Sequence, residues 1–289
     1  MSASPLRPRL AQKLLIQLIL VILAIPAVLP IAWMVSTSLK TDKQVFAAEG
    51  KGAPPFSMEN LVPHPARPEN YTDALKAVPF RTYFRNTATL CLFNVLAVVI
   101  SSAIVAYGFA RLRAPGKPLL FGLMLATMAV PPQVTMVPTF ALYRVLGWYG
   151  TYLPLTVPYL FGAPFFIFLL TQFYRTMPEE MAEAARLDGA SEWRIFSRLV
   201  LPLSKPALAT CALFQFVGTW NDFLGPLIYL NNPDQYTVAY GLQLFLSKNG
   251  GQWTLLMAGA TLFAAPVIVV FFLAQKTFIQ GIATTGGRN

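Results

Sequence analysis

The sequence predicts an all-α membrane protein with six spanning helices and one polar segment set among them. Three observations point there. The 289 residues are 55% hydrophobic and only 12% charged, where a soluble domain carries about 25% charged residues. Six apolar runs are long enough to cross a hydrocarbon core of roughly 30 Å at 1.5 Å rise per residue. One short segment, Glu179–Leu203, holds five of the twelve acidic residues, while the sequence on either side is almost uncharged.

The runs are approximately Leu14–Val35, Ala88–Ala110, Leu119–Leu142, Thr151–Phe173, Ala207–Leu230 and Thr254–Ala274. With no repeat or low-complexity tract between them, they read as a single transmembrane domain over residues 1–289. Only the fifth contains a formal charge, Asp222. No irregular polar stretch interrupts a run, but Pro26, Pro131, Pro132, Pro138, Pro158 and Pro164 lie inside them. Those prolines predict kinked helices whose freed carbonyls are satisfied by neighbouring helices. The first run follows Arg7, Arg9 and Lys13. It is longer than the 7–15 apolar residues typical of a signal peptide and lacks a clean cleavage site, so it reads as a retained span.

Lysine and arginine set the direction. The N-terminal tail carries three, the 111–118 loop three (Arg111, Arg113, Lys117), the Tyr174–Pro206 loop five and the C-terminal tail two. The loops around Arg144 and Lys248 carry one each. Both termini and the Glu179 segment are therefore expected in the cytoplasm, and the long 36–87 loop outside. Seven basic residues in that loop are mixed with five acids, and long loops count less in the rule. A short amphipathic helix is expected within it near Tyr71–Val78.

Several chemistries are excluded. A lone His64 with Cys91 and Cys211, both in apolar runs, offers neither a metal site nor a disulfide framework, and the cysteines read as small core residues. The net charge of +10 belongs to span-flanking residues and not to nucleic-acid recognition. No GxxxxGK[ST] occurs; Gly116-Lys117 is the nearest fragment. The NGGQW stretch at Asn249–Trp253 reads as a glycine turn. With no nucleophile–base–acid set either, no enzyme activity and no cofactor are expected on this chain.

The polar segment reads as two short helices. Thr176 with Glu179 fits a capping box, and Pro178 suits a first turn. Met181, Ala184, Ala185 and Asp188 are expected along one stripe, and Gly189 stops the helix in the left-handed conformation that lacks a Cβ penalty. Ser191 caps a second helix with Trp193, Phe196, Leu199 and Val200 on its apolar face, ended by Pro202. Between spans, and without a basic recognition helix, this is no DNA-binding helix-turn-helix. A docking element for a cytoplasmic partner fits better, since an alanine-rich helix is slim enough for a groove.

The spacing also carries a resemblance. Glu183-Ala184-Ala185, three residues, Gly189, nine residues and Leu199-Val200-Leu201-Pro202 resemble the EAA motif of ABC-importer permeases, with Leu199 for isoleucine as the one departure. ENYTDALKAVPFRTYFRNT, ARLRAPGK, VPPQVTMVPTFALYRVLGWYGTYLPL and WNDFLGPLIYL are similar to carbohydrate-uptake permeases of the maltose-transporter type, in the smaller six-span form. The likeness runs from about residue 14 to 282. It implies an inner-membrane permease of a prokaryote whose 176–202 loop is the coupling helix seated in an ATPase cleft. Glu183, Ala184, Ala185, Gly189, Leu199, Leu201 and Pro202 would be its coupling residues. The implied partners are a second permease, two ABC ATPase subunits that bind ATP and Mg, an extracytoplasmic solute-binding protein and a sugar.

A sugar path needs amides for hydroxyls and an aromatic face. Trp220, Asn221 and Asp222 supply these in the fifth run, with Asn94 in the second and Gln133 and Thr135 in the third. Two readings of these groups stand: lining the path, or bonding helix to helix. The 231–252 loop is polar enough to reach the binding protein and equally suited to a connector. An ion-driven secondary transporter is the alternative class, for which Asp222 alone is a thin relay. Polyols or glycerol phosphate are alternative cargoes, the latter disfavoured by spans without basic residues.

Overall fold

The computed structural model describes residues 10–45, 61–247 and 252–286, and every regular element among them is helical. Arg7 and Arg9, the middle of the 36–87 loop, Lys248, the glycine turn at Asn249–Gly251 and Arg288 lie outside the described residues.

Four helices are long and apolar enough to span a membrane unbroken or nearly so: Gln12–Ser38, Phe80–Arg111, Leu153–Arg175 and Trp253–Gln275. Two bent pairs complete up to six, Lys117–Thr127 with Pro132–Val145 at 97° and Glu192–Leu203 with Lys205–Trp220 at 76°. We number the helices α1 (Leu10–Ser38), α2 (Glu69–Ala77), α3 (Phe80–Arg111), α4 (Lys117–Thr127), α5 (Pro132–Val145), α6 (Leu153–Thr156), α7 (Pro164–Arg175) and α8 (Glu179–Leu187). Next come α9 (Glu192–Leu203), α10 (Lys205–Trp220), α11 (Leu224–Tyr229), α12 (Val238–Ser247) and α13 (Trp253–Gly286).

Packing divides the chain into two compact units. One takes the described residues up to Val78 and Leu242–Leu262. Its polar seam is short-range and dense: the Asn70 amide donates to the carbonyls of Ser38 and Lys40, both at 2.8 Å, and Ser38 Oγ meets Tyr71 Oη at 2.7 Å. In the same unit Thr254 Oγ1 donates to Asp42 Oδ1 at 2.7 Å. The expected loop helix stands here as α2. The 231–252 stretch, for which both a reach toward the binding protein and a connector were open, holds α12 among its described residues.

The other unit, Pro79–Gly241 with the chain from Phe263 on, is organised around α3. This unbroken 32-residue helix packs along α7 and α10, burying Val98, Ala103 and Ala106 against Leu170, Tyr174, Ile195 and Cys211. Cys91 and Cys211 are both free and buried. Where lipid replaces water, such helices associate through close packing and hydrogen bonds, not apolar transfer, so small residues at the seam count most.

The apolar runs are broken more sharply than expected, and proline is the reason. Pro131 and Pro132 open α5 after the four-residue gap that follows α4. Span four contains α6, a 3-10 turn at Val157–Phe161, Gly162 at φ +82°, and then α7 opening on Pro164. Missing proline N–H groups cannot continue a helical ladder. Three α3 side chains make good the freed backbone: Asn94 Nδ2 donates to Leu155 O at 2.9 Å, Ser101 Oγ to Tyr159 O at 3.1 Å, and Ser102 Oγ accepts from Ala163 N at 3.1 Å.

Candidate functional site

The polar loop is built from α8, a tight stop and α9. The α8 stop is a Schellman motif: Ala190 N–H bonds Ala185 O at 2.9 Å, Gly189 N–H bonds Arg186 O at 3.0 Å, and Gly189 takes φ +77°. A side chain there would be strained by the backbone itself, although nothing crowds the place a Cβ would occupy. Ser191 then caps α9, its Oγ accepting from Arg194 N at 3.4 Å.

The start of α8 differs from the capping box expected. Pro178 is the N-cap without a side-chain bond, and Thr176 Oγ1 donates backward to Phe173 O at 2.7 Å. The Glu179 carboxylate cannot reach back because it is ion-paired with Arg111 and Arg186. Those pairs also set the rotation of α8. Glu179, Ala182 and Arg186, at i, i+3 and i+7, share the face that meets α3 and α9, with Ala182 buried, Ala185 and Arg186 half-buried and Glu179 exposed at its rim. Of the stripe of Met181, Ala184, Ala185 and Asp188, only Ala185 is half-buried and the rest is exposed. Glu180, Glu183, Ala184 and Leu187 face out, Leu187 at 88% exposure.

In α9 the buried residues are Ile195, Phe196 and Val200, and Leu199 is half-buried. Trp193, expected in the apolar face, is 65% exposed, although its ring lies 5.5 Å from that of Phe196. Pro202 does not end the helix. A π-helical turn at Phe196–Val200 absorbs the missing N–H, and the helix continues to Leu203 before the bend at buried Ser204.

Five side chains close a circuit through the loop. Arg111, in the last turn of α3, pairs with Glu179 and also donates to Tyr174 O at 2.7 Å and Met177 O at 2.6 Å. Its guanidinium thus satisfies a terminal carbonyl of α7 while holding α8. Arg186 bridges Glu179 at 3.3 Å and Glu192 at 2.8 Å. Tyr107 Oη, one turn before Arg111, donates to Glu192 Oε2 at 2.6 Å, and the Tyr107 ring lies 5.1 Å from Phe196. The Arg111 side chain is only 6% exposed, against 50% for Glu179. Burial alone would raise the Glu179 carboxyl, but its bonds to Arg111 and Arg186 outweigh that and hold it below the usual carboxylate range. The bond to Glu192, with a smaller share from Glu179, raises the Arg186 guanidinium further above its already high value.

Glu183 takes no part in the circuit. Sequence reading singled it out and passed over Tyr107, Arg111, Glu179, Arg186 and Glu192 as partners. A signal was available within the loop, since Glu179 and Arg186 are seven apart on one helix and share a face. Their tie to Arg111, 68 residues away, had no local signature.

The candidate path residues are not brought together as one cluster. Asn94 is buried and holds Leu155 O, with its Oδ1 unpartnered. Gln133 and Thr135 are exposed on α5, and Thr135 Oγ1 donates to Pro132 O at 3.1 Å. Trp220 is buried among Phe84, Phe216 and Phe263, its Nε1 donating to Phe263 O at 3.0 Å. Asn221 Nδ2 donates to Val217 O at 2.9 Å, and Asp222 Oδ1 accepts from Gly225 N at 3.0 Å. Gln215 and Thr219, unremarked in the sequence, are buried on α10 and bond each other at 2.8 Å.

With this geometry in hand, the chain can be set beside known proteins. The model of the family described as "binding-protein-dependent transport system inner membrane component" matches residues 99–284. The probable ABC transporter permease protein YurM of Bacillus subtilis (strain 168) is 32% identical over 256 residues, covering 88% of this chain and 82% of YurM. The arabinooligosaccharides transport system permease protein AraQ of the same organism is 34% identical over 221 residues, 76% of this chain and 78% of AraQ. Among solved structures, a chain of a bacterial ABC transporter that imports the acidic polysaccharide alginate superposes with a TM-score of 0.78. It covers 95% of this chain and 100% of that one at 24% identity, a likeness of fold.

Proposed function

Because the chain belongs to the family of binding-protein-dependent transport system inner membrane components, we propose that its cargo is a di- or oligosaccharide and that α8 couples transport to ATP hydrolysis. Membership makes it a multi-pass permease component of an ABC importer, working with ATPase and solute-binding subunits. The finer assembly we infer is a heterodimer with a second permease and two ATPase copies. ATP and Mg belong to those copies, and this chain holds no cofactor. Both termini and the α8–α9 loop lie in the cytoplasm on this reading, as the lysine and arginine distribution argues.

One observation carries the coupling role. The loop is locked from behind by its ion pairs while Glu183, Ala184 and Leu187 face out. A rigid helix with a free outward face transmits a push, where a floppy one would absorb it. Glu183 offers a charged acceptor and Ala184 close approach. The sugar assignment rests on the arabinooligosaccharide relative and on spans without basic residues, which disfavours an anion.

The test is ATP hydrolysis by the complex purified through a tag on this chain and reconstituted with its binding protein. Arabino-oligosaccharides, maltose, sorbitol and glycerol phosphate would be added in turn. Stimulation by the saccharides alone is expected. Stimulation by sorbitol or glycerol phosphate alone would overturn the cargo, and hydrolysis without any ATPase chain in the preparation would overturn the assembly.

A further inference from the structure

The circuit through Tyr107, Arg111, Glu179, Arg186 and Glu192 has a geometry that the coupling loop does not need for its own folding. The Schellman stop and the Ser191 cap already define α8 and α9 locally. The circuit adds attachment to a third element. By chain connectivity the loop hangs between α7 and α10, so a push on α8 would pass directly to spans four and five. The side chains say otherwise. Arg111 and Tyr107 are four apart on α3 and so lie on one face. One holds Glu179 of α8 and the other holds Glu192 of α9. Arg186 closes the gap between the two acids. Both halves of the loop are thereby tied to the end of the second span.

We propose that Arg111 is a positioning residue, the joint that makes α8 and α3 move as one body when the ATPase subunits pull on the loop. This rests on the coupling role proposed above. The chemistry suits the task. A guanidinium donates in a fixed planar fork, and here it serves a carboxylate and two carbonyls at once, so its orientation is fixed from three directions. Arg111 is only 6% exposed and its two carbonyl bonds hold it in place, although its partner Glu179 is half exposed. The apolar contact beneath it runs the same way, with Tyr107, Ala182, Phe196 and Val200 in one buried cluster. A lysine could keep the charge but not the fork.

The joint can be read without knowing the cargo. Spin labels on Ile104→Cys, on the exposed side of α3, and Glu180→Cys, on the outward side of α8, would report the distance between the two helices. Cys91 and Cys211 are buried and leave the labelling clean. The assembled complex is measured with and without ATP and Mg, after its hydrolysis has been verified. In the parent chain we expect one narrow distance that ATP does not move. In Arg111→Gln we expect ATP to shift and broaden it, with Arg111→Lys intermediate. A distance that moves with ATP in the parent, or one that stays narrow and fixed in Arg111→Gln, overturns the proposal. Should Arg111→Gln fail to assemble, Glu179→Ala removes the carboxylate by which Arg111 holds α8, and a broadening absent there overturns it equally. A parent complex that hydrolyses no ATP would instead sink the coupling role itself.

Discussion

Two polar regions of this chain look alike in sequence and differ in what their polar groups do. Trp220-Asn221-Asp222 and the Glu179–Glu192 loop both interrupt apolar sequence with charge and amide. In the first, Asn221 bonds Val217 and Asp222 accepts from Gly225 within four residues, and Trp220 is held by Phe263 of α13 within an aromatic cluster. In the second, the groups reach across the fold to α3 and leave Glu183 over. Polar residues in a membrane protein are therefore not informative by position alone. What separates scaffold from working surface is whether a group still has capacity after its neighbours are satisfied.

The largest expected effect is at the stop of α8. Gly189→Pro sets a φ near −65° where +77° is needed and removes the N–H that bonds Arg186 O. Uptake should fall by roughly a hundredfold, the factor that about 3 kcal/mol represents, while the chain still reaches the membrane fraction. Normal uptake in that variant would remove α8 from the coupling route. Next is Glu183→Ala. It should weaken retention of the ATPase subunits by about tenfold, a charged hydrogen bond's worth, without changing thermal stability. A loss of stability would mean that Glu183 belongs with the structural groups after all.

Smaller effects should mark the scaffold side. Asn94→Leu strips Leu155 O of its donor and should cost about 1–3 kcal/mol, seen as a lowered unfolding midpoint. Transport per folded complex should stay within about twofold, because a buried amide that holds a backbone carbonyl contributes through stability. Asp222→Asn keeps an oxygen to accept from Gly225 N–H, so uptake should also hold within about twofold at nearly unchanged stability. Abolished uptake in a stable Asp222→Asn complex would break the comparison and put that residue on the path.

Most of the architecture was legible because it follows from short-range rules. Apolar length located the spans, glycine located the α8 stop, and Ser191 announced α9. Three things were hidden, the first two for a reason of range. The breaks in spans three and four depend on serine and asparagine side chains of α3, about 60 residues away, being present to satisfy the freed backbone. The inward face of α8 carried no local signature, because its ion pairs, one of them to an arginine 68 residues away, turn Glu179 and Arg186 toward α3 and α9. Helix α12 lies in the 231–252 stretch, where the sequence left a connector and a reach toward the binding protein both open. There Gly241 admits the Tyr83 ring so closely that a Cβ would come within 2.5 Å of Cδ2.

The closed circuit also determines what counts as a transferable part. An engineer who grafts residues 176–203 from one importer into another, treating the loop as a cassette, would sever it at both anchors. Glu179 and Glu192 would arrive without the arginine and tyrosine that hold them in this chain, and the recipient's own Arg111 and Tyr107 counterparts would meet unfamiliar acids. The smallest exchangeable piece is discontinuous: the loop together with the last turn and a half of the second span. Specificity for a given motor would then travel with two stretches of gene that have to be moved as a pair.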